Sequence, residues 1–504
     1  MLTSLDLVVA GVYLVGTIAV GLACRGPQRD ADDYFTAKGR LGGRIGALLV
    51  GLSVAATLFS GISFLAYPAV IYRGGIVLFL GVTLVCMPVA YVVLRWFLRR
   101  YLGQGLTHPY ESIERRFGPW SRNVASVMFL LMRVGWMAAL IYAPTLAILA
   151  ATGWSRAMFW PVILAIGLGS TFYTAFGGIR GVIVTDALQF VVIFVGIALT
   201  VGYALVKLPE PVGEAVSGLI EADRLNLLPT SLDPAASLTV WTVAIGVTVA
   251  NLANYVGDQM SLQRYLAAGS TRSALHAFSV NIFGVIAVLG LLSLVGLTLF
   301  AFYAVIDDPA LPAKTDRVFP YFVASQLPSG ASGLLLAAIL AATISSMTSG
   351  INALSATVTL DLLPRFTSLA ARINGRRKLW FARVVSLVGG AAATLAAGFV
   401  SKLGTLYDVT QIILGVFAGP LLVVVLLSVS HWRLSGSAML IGLAAGSAGG
   451  WTAAWFSAHG HLASLWTAPI AAGLTFVSPL VAARVWPRCR GASTLSTFRV
   501  PEEA

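Results

Sequence analysis

Apolar residues run through this chain in long, unbroken stretches separated by short polar, basic or Gly/Pro-containing segments, with no strict alternation inside the stretches. Each stretch has about 20 residues or more, which as a helix crosses a hydrocarbon layer of ~30 Å. The pattern predicts roughly thirteen spans. They lie near 5–23, 45–72, 75–98, 121–151, 157–176, 181–206, 239–257, 277–306, 333–361, 379–400, 405–428, 437–458 and 466–486. Membrane β-strands would alternate apolar and polar positions, so a barrel is excluded. The expected fold class is an all-α polytopic membrane protein forming one transmembrane unit over 1–504. The longest polar connections, near 207–238 and 307–332, are too short for a soluble domain. The tail 487–504 carries Ser, Thr and Arg and reads as disordered.

Composition strengthens this reading. With 58% hydrophobic and 11% charged residues, the chain cannot bury its apolar surface inside a water-facing globule. The net charge of +13 is concentrated in Arg25–Arg44, Arg95–Arg122, Arg365–Lys378 and Arg484–Arg499. Because positive loops stay in the cytoplasm, this pattern predicts an outside N-terminus and a cytoplasmic C-terminus in a bacterial-type inner membrane. The charge is thus that of a basic protein embedded in lipid, and no nucleic-acid partner is called for. Met1 to Val20 lacks Lys and Arg, so the first span is expected to be retained rather than cleaved as a signal. Cys24, Cys86 and Cys489 are expected to form neither disulfides nor a metal site.

Two segments depart from good helix-forming sequence in similar ways. Thr57 to Pro68 contains Ser60, Gly61, Ser63 and Pro68; Gly246 to Gly257 contains Asn251 and Asn254. Irregular backbone at membrane depth persists only where protein, ions or water satisfy the freed amides and carbonyls. A pair of interrupted spans in two halves of a chain points to a transporter site near the midplane.

Three groups carry candidate chemistry. Ala342, Ser345, Ser346 and Ser349 share one helical face, rich in oxygen, next to Thr348. Such a face offers hard ligands to a cation, or lets two membrane helices pack closely. Asp186, about four residues inside a span, is either an ion-pair partner of Arg133 or Arg180 or a cation ligand. Arg133 lies about twelve residues, ~18 Å, into its span, too deep to reach the surface. It either pairs structurally with Asp186 or Asp408, or grips a substrate carboxylate through its fork of donors.

Several motifs resemble the sodium:solute symporter family, which includes carriers of sialic acid, proline, galactose, glucose and monocarboxylates. They are Gly177-Gly178 through Thr185-Asp186 and Gln189, then Asp258-Gln259 with Gln263-Arg264-Tyr265, then Gly333-Leu334 through Ala342, Ser345-Ser346 and Asn352. The resemblance covers most of the chain. It implies the leucine-transporter-type inverted repeat of five plus five helices, one extra helix before it (about 5–23) and two after it (437–486). Repeat one would span about 45–206 and repeat two about 239–428. It also implies a common Na+ site formed by carbonyls of Ala56, Phe59 and Ala342 with hydroxyls of Ser345 and Ser346. A second Na+ site, found in some members, would use Asp186, Ser345, Thr348 and Ser349, so two Na+ ions are expected.

For substrate, the run Leu58 to Phe64 and the position of Arg133 resemble the sialic acid branch. That likeness implies a small organic acid held by Arg133, with Thr57, Ser60, Ser63, Phe79 and Asn251 lining the pocket. Phe79 to Thr83 lacks the Gln expected for a polyhydroxylated tail, and Tyr72-Arg73-Gly74 resembles the monocarboxylate branch. The expected activity is Na+-coupled import by alternating access, by a protein functional as a monomer. The alternative on the same fold is symport of a neutral sugar or a proline-like amino acid. An intramembrane aspartyl protease using Asp258 and Asp408 fits poorly, because the motifs are reversed and incomplete. A channel fits poorly because a buried Arg beside cation ligands suits a coupled site. No enzyme activity is expected.

Overall fold

The computed structural model of the protein describes residues 3–24, 28, 30–36, 43–226, 229–363, 375–400 and 406–486. The tail 487–504 and most of the basic 365–378 segment lie outside the described residues. The described chain is helical almost throughout. α1 (Ser4–Ala23) is followed by α2 (Gly43–Leu58) and α3 (Gly61–Gly74). Next come α4 (Val77–Leu102), α5 (Pro119–Thr152), α6 (Phe159–Val206), α7 (Thr242–Gly257) and α8 (Gln259–Ala268). The remaining long helices are α9 (Thr271–Val305), α10 (Ala331–Leu362), α11 (Arg376–Ala397), α12 (Leu406–Ser428), α13 (Gly436–Ala458) and α14 (Thr467–Val485).

Among the described residues, eight helices are individually long and apolar enough to cross a membrane, and the bent α2–α3 pair makes a ninth. One of the eight, α6, has 48 residues. That is ~72 Å of helix, more than twice a hydrocarbon layer. It folds back at Gly178, whose φ of 63° and ψ of 177° suit a residue without a Cβ. The carbonyls freed there are covered: the Gln28 amide donates to Phe176 and Gly177 at 3.1 and 3.0 Å, and the Tyr34 hydroxyl to Thr174 at 3.1 Å. Counting α6 as two crossings, and adding α7–α8, α12 and α13, accounts for each of the roughly thirteen spans expected from the sequence.

The first ten of the twelve crossings after α1 form two sets of five, and the first crossing of each set is broken. Between α2 and α3 the axis turns by 65°. Ser60 is extended there (φ −92°, ψ 164°) and accepts a hydrogen bond from Ser63 N–H, capping α3. α7 contains two π-helical turns, Thr242–Val247 and Ala253–Gly257, and stops at Asp258 (φ −87°, ψ 128°), which caps α8. Gly257 permits α12 to approach, since a Cβ there would lie 2.7 Å from the Leu422 nitrogen. α10 runs through the middle and is buried almost throughout. Its start is tied to α1, because Asp6 accepts hydrogen bonds from the Gly330 and Gly333 amides at 2.7 and 2.8 Å.

Candidate functional site

The break after Leu58 ends the carbonyl ladder of α2 against the oxygen-rich face of α10. The Ser345 hydroxyl donates to the Ala342 carbonyl at 3.1 Å and to the Ala56 carbonyl at 3.0 Å. The Ser346 hydroxyl donates to the Thr57 carbonyl at 2.9 Å. Phe59 sits at the break itself, with its amide on the Ala55 carbonyl at 3.2 Å. Ser345, Ser346, Thr348 and Ser349 are all buried. Close approach is possible because Gly61 presents no Cβ to Thr343. The five positions expected at the common Na+ site therefore lie on one junction between α2 and α10. Packing and ligation are compatible here, because hydroxyls that hydrogen-bond across the helices are also hard oxygen donors.

Asp186 on α6 is fully buried beside this junction. Its Oδ2 accepts hydrogen bonds from Ser53 at 2.7 Å, Ser349 at 3.3 Å and Thr57 at 3.4 Å. The alternative of an ion pair with Arg133 or Arg180 is not what forms; the partner is Arg264 of α8, at 2.8 Å. Arg264 also donates to Ser53 at 2.8 Å, Thr57 at 2.7 Å, the Met260 carbonyl at 2.9 Å and Ser349. Asp186 Oδ1 has no hydrogen-bond partner among the described residues. The Thr348 hydroxyl donates to the Ser345 carbonyl at 3.1 Å, which leaves its oxygen lone pairs available. The set around Asp186 thus carries one fixed cation and one free carboxylate oxygen.

Next to the break lies a cavity of about 230 Å³. Thr57, Ser60, Ser63, Arg133 and Asn251 all line it, with Asn254, Tyr255, Asp258 and Ser261. Much of the remaining wall is apolar, including Phe59, Ile62, Val82, Val285 and Leu289. Phe79 is a correction. Leu78 and Val82, one turn apart, face the cavity, whereas the Phe79 ring points at Gly290, 3.6 Å from where a Cβ would stand. One residue along a helix rotates a side chain by ~100°, enough to move it off the wall.

Asp186 is not the partner of Arg133, and the Asp408 side chain lies outside the described residues; the Arg133 guanidinium pairs with Asp258. It also lies over Trp136 at 4.5 Å and Phe129 at 5.2 Å. Asp258 is doubly engaged, since its Oδ1 accepts the Met260 amide at 2.8 Å while capping α8.

Asp258 and Arg264 were the residues missed as site components. Both stood in recognised motifs, but their partners lie 125 and 78 residues away, across the fold. A further, largely buried network joins α5, α8 and α10. Arg122 pairs with Glu114 at 2.6 Å and with Asp361, which also accepts from Gln259 at 2.9 Å and Ser126 at 3.1 Å.

A helical bundle with two broken spans, a central cavity and oxygen clusters at the break defines a membrane carrier. The chain belongs to the sodium:solute symporter family, whose model matches residues 34–446. It is a multi-pass transporter that uses Na+, not an enzyme. It is 32% identical over 438 residues to the human sodium/iodide cotransporter, covering 85% of this chain and 66% of that protein. It is 29% identical over 450 residues to the sodium/sialic acid symporter NanT of Aliivibrio fischeri, covering 88% and 86%. It is 29% identical over 455 residues to the sodium-coupled monocarboxylate transporter 1 of Xenopus laevis, covering 88% and 70%. Its structure is similar to the substrate-bound, outward-open state of a Na+-coupled sialic acid symporter, with a TM-score of 0.85 and 26% identity over 96% of this chain and 98% of that one. The leucine-transporter-type fold expected from the motifs is therefore the fold of the protein.

Proposed function

We propose that the protein imports a short organic acid together with two Na+ ions by alternating access. The observation that carries this reading is Arg133 on the wall of a small, largely apolar cavity beside the broken α2–α3 span. At about 230 Å³ the cavity falls below the ~300–1,000 Å³ of sites for drug-sized ligands. That size and lining favour a monocarboxylate with a short aliphatic tail over a sialic acid. Arg133 would orient the carboxylate, while Ser60, Ser63 and Asn251 would meet its polar substituents.

One Na+ would sit among the Ala56, Phe59 and Ala342 carbonyls and the Ser345 and Ser346 hydroxyls. Support comes from Ser345, whose hydroxyl already meets two of those carbonyls. The second would use Asp186 with Ser345, Thr348 and Ser349, and the unpartnered Asp186 Oδ1 supports it. Two Na+ with one monoanion carry one net charge, worth ~2.3 kcal/mol per 100 mV. Two tenfold Na+ gradients add about 2.8 kcal/mol, and the total of roughly 5 kcal/mol supports several-thousand-fold accumulation.

The same reading places the protein in a bacterial-type cytoplasmic membrane, N-terminus outside and C-terminus inside. Repeats of about 45–206 and 239–428 rock about the site, and the monomer is the functional unit of this reading. A second reading, symport of a neutral solute, is favoured by the pairing of Arg133 with Asp258. The test is thermal stability of purified protein in Na+ or K+, with propionate, lactate, N-acetylneuraminate, galactose or proline. Na+-dependent stabilisation by a short acid is expected; stabilisation by galactose or proline alone would overturn the acid reading.

A further inference from the structure

We propose that Asp258 sets the specificity of the cavity by occupying Arg133 until a substrate carboxylate takes its place. This rests on the acid reading above. Asp258 and Arg133 are both buried and both line the cavity. Asp258 divides its two oxygens: one accepts the Met260 amide at 2.8 Å, the other the Arg133 guanidinium. Its place is therefore fixed by the first turn of α8, independently of Arg133. That turn also supplies the positive end of a ten-residue helix, where a carboxylate is favoured.

Arg133 is likewise held independently of Asp258, over the Trp136 and Phe129 rings, and its Nε has no partner among the described residues. If a substrate carboxylate takes the guanidinium, Arg133 exchanges one carboxylate for another, and Asp258, having given up its counter-ion, keeps the Met260 amide and the positive end of α8. A tethered carboxylate acts at a high effective concentration. An incoming ligand must therefore match a carboxylate's charge and two-oxygen geometry to displace it. Neutral solutes have no charge with which to take Arg133, and weakly coordinating inorganic anions compete poorly with an internal carboxylate. Discrimination thus comes from a built-in competitor, at the expense of absolute affinity.

The test is isothermal titration of purified protein in saturating Na+ with propionate, lactate and N-acetylneuraminate, in the wild type, Asp258→Asn and Asp258→Ser. Asn and Ser cap helices about as well as Asp, so either variant keeps the start of α8. Whichever acid binds the wild type is expected to bind at least tenfold more tightly to both variants. Nitrate, inert toward the wild type, is expected to compete in the variants. Unchanged or weaker acid binding in both variants, with Na+ stabilisation intact, would overturn the role of Asp258 alone. A wild type that binds galactose or proline but no acid would overturn the acid reading and this inference with it. Undiminished acid affinity in Arg133→Gln/Asp258→Asn would also overturn the exchange, because the released guanidinium would then not be the acceptor.

Discussion

Replacing Arg264 by Met tests the second Na+ site through a charge the fold already holds. The guanidinium and Asp186 are 1% and 0% exposed and 2.8 Å apart. Removing one partner of such a pair costs about 3–5 kcal/mol, because it leaves a buried charge uncompensated. Asp186 keeps its hydrogen bond from Ser53 at 2.7 Å, so the lower end of that range applies. Met fills most of the volume, which confines the damage to charge and hydrogen bonds. In K+ the variant should therefore be much less stable than the wild type. A Na+ ion on Asp186 would replace the missing cation, and at 100 times its dissociation constant would return ~2.7 kcal/mol. The assay is the apparent melting temperature in detergent across a Na+ titration at constant ionic strength. The expected result is a large loss in K+, most of it recovered in Na+, with the Na+ midpoint below that of the wild type. An equal loss in both salts would refute a cation site at Asp186.

Other substitutions separate the remaining roles. Ser346→Ala removes a proposed Na+ ligand and the bond to the Thr57 carbonyl, and should raise the Na+ concentration for half-maximal uptake about tenfold, ~1.4 kcal/mol; an unchanged Na+ dependence would remove Ser346 from the site. Phe79→Ala should leave substrate KM within about twofold, because Phe79 faces Gly290, whereas Leu78→Ala should enlarge the cavity and shift preference to longer-chain acids in competition uptake. Gly257→Ala should cost roughly 1–3 kcal/mol, since its methyl group would press on the Leu422 backbone; wild-type stability would show that α12 yields freely. Asp361→Asn removes the charge opposite Arg122 in a buried pair and should cost about 3 kcal/mol of stability, read as a lower apparent melting temperature; wild-type stability would show that Glu114 alone satisfies Arg122.

The contrast between what the chain spells out and what it conceals follows the range of the forces involved. Thirteen crossings, the breaks near Ser60 and Asp258, and the hydroxyl face of Ser345, Ser346 and Ser349 were legible because each is written in about one span of local sequence. Apolar runs set the crossings, Gly and capping residues the breaks, and helical periodicity the face. The expectation for Phe79 failed on a single helical step, which depends on how α4 is rotated against α9. The pairing of charges could not be read at all. Arg133, Arg180 and Arg264 were each available to Asp186 in sequence, and α8 alone, turned inward by the break at Asp258, brings Arg264 within 2.8 Å. Sequence alone determined that the protein spans a membrane, where its helices bend and which oxygens face inward, because solvation and backbone geometry act residue by residue. The tertiary structure decided which buried charge meets which, and which side chains enclose the cavity, because those contacts join residues that only the packed bundle makes neighbours.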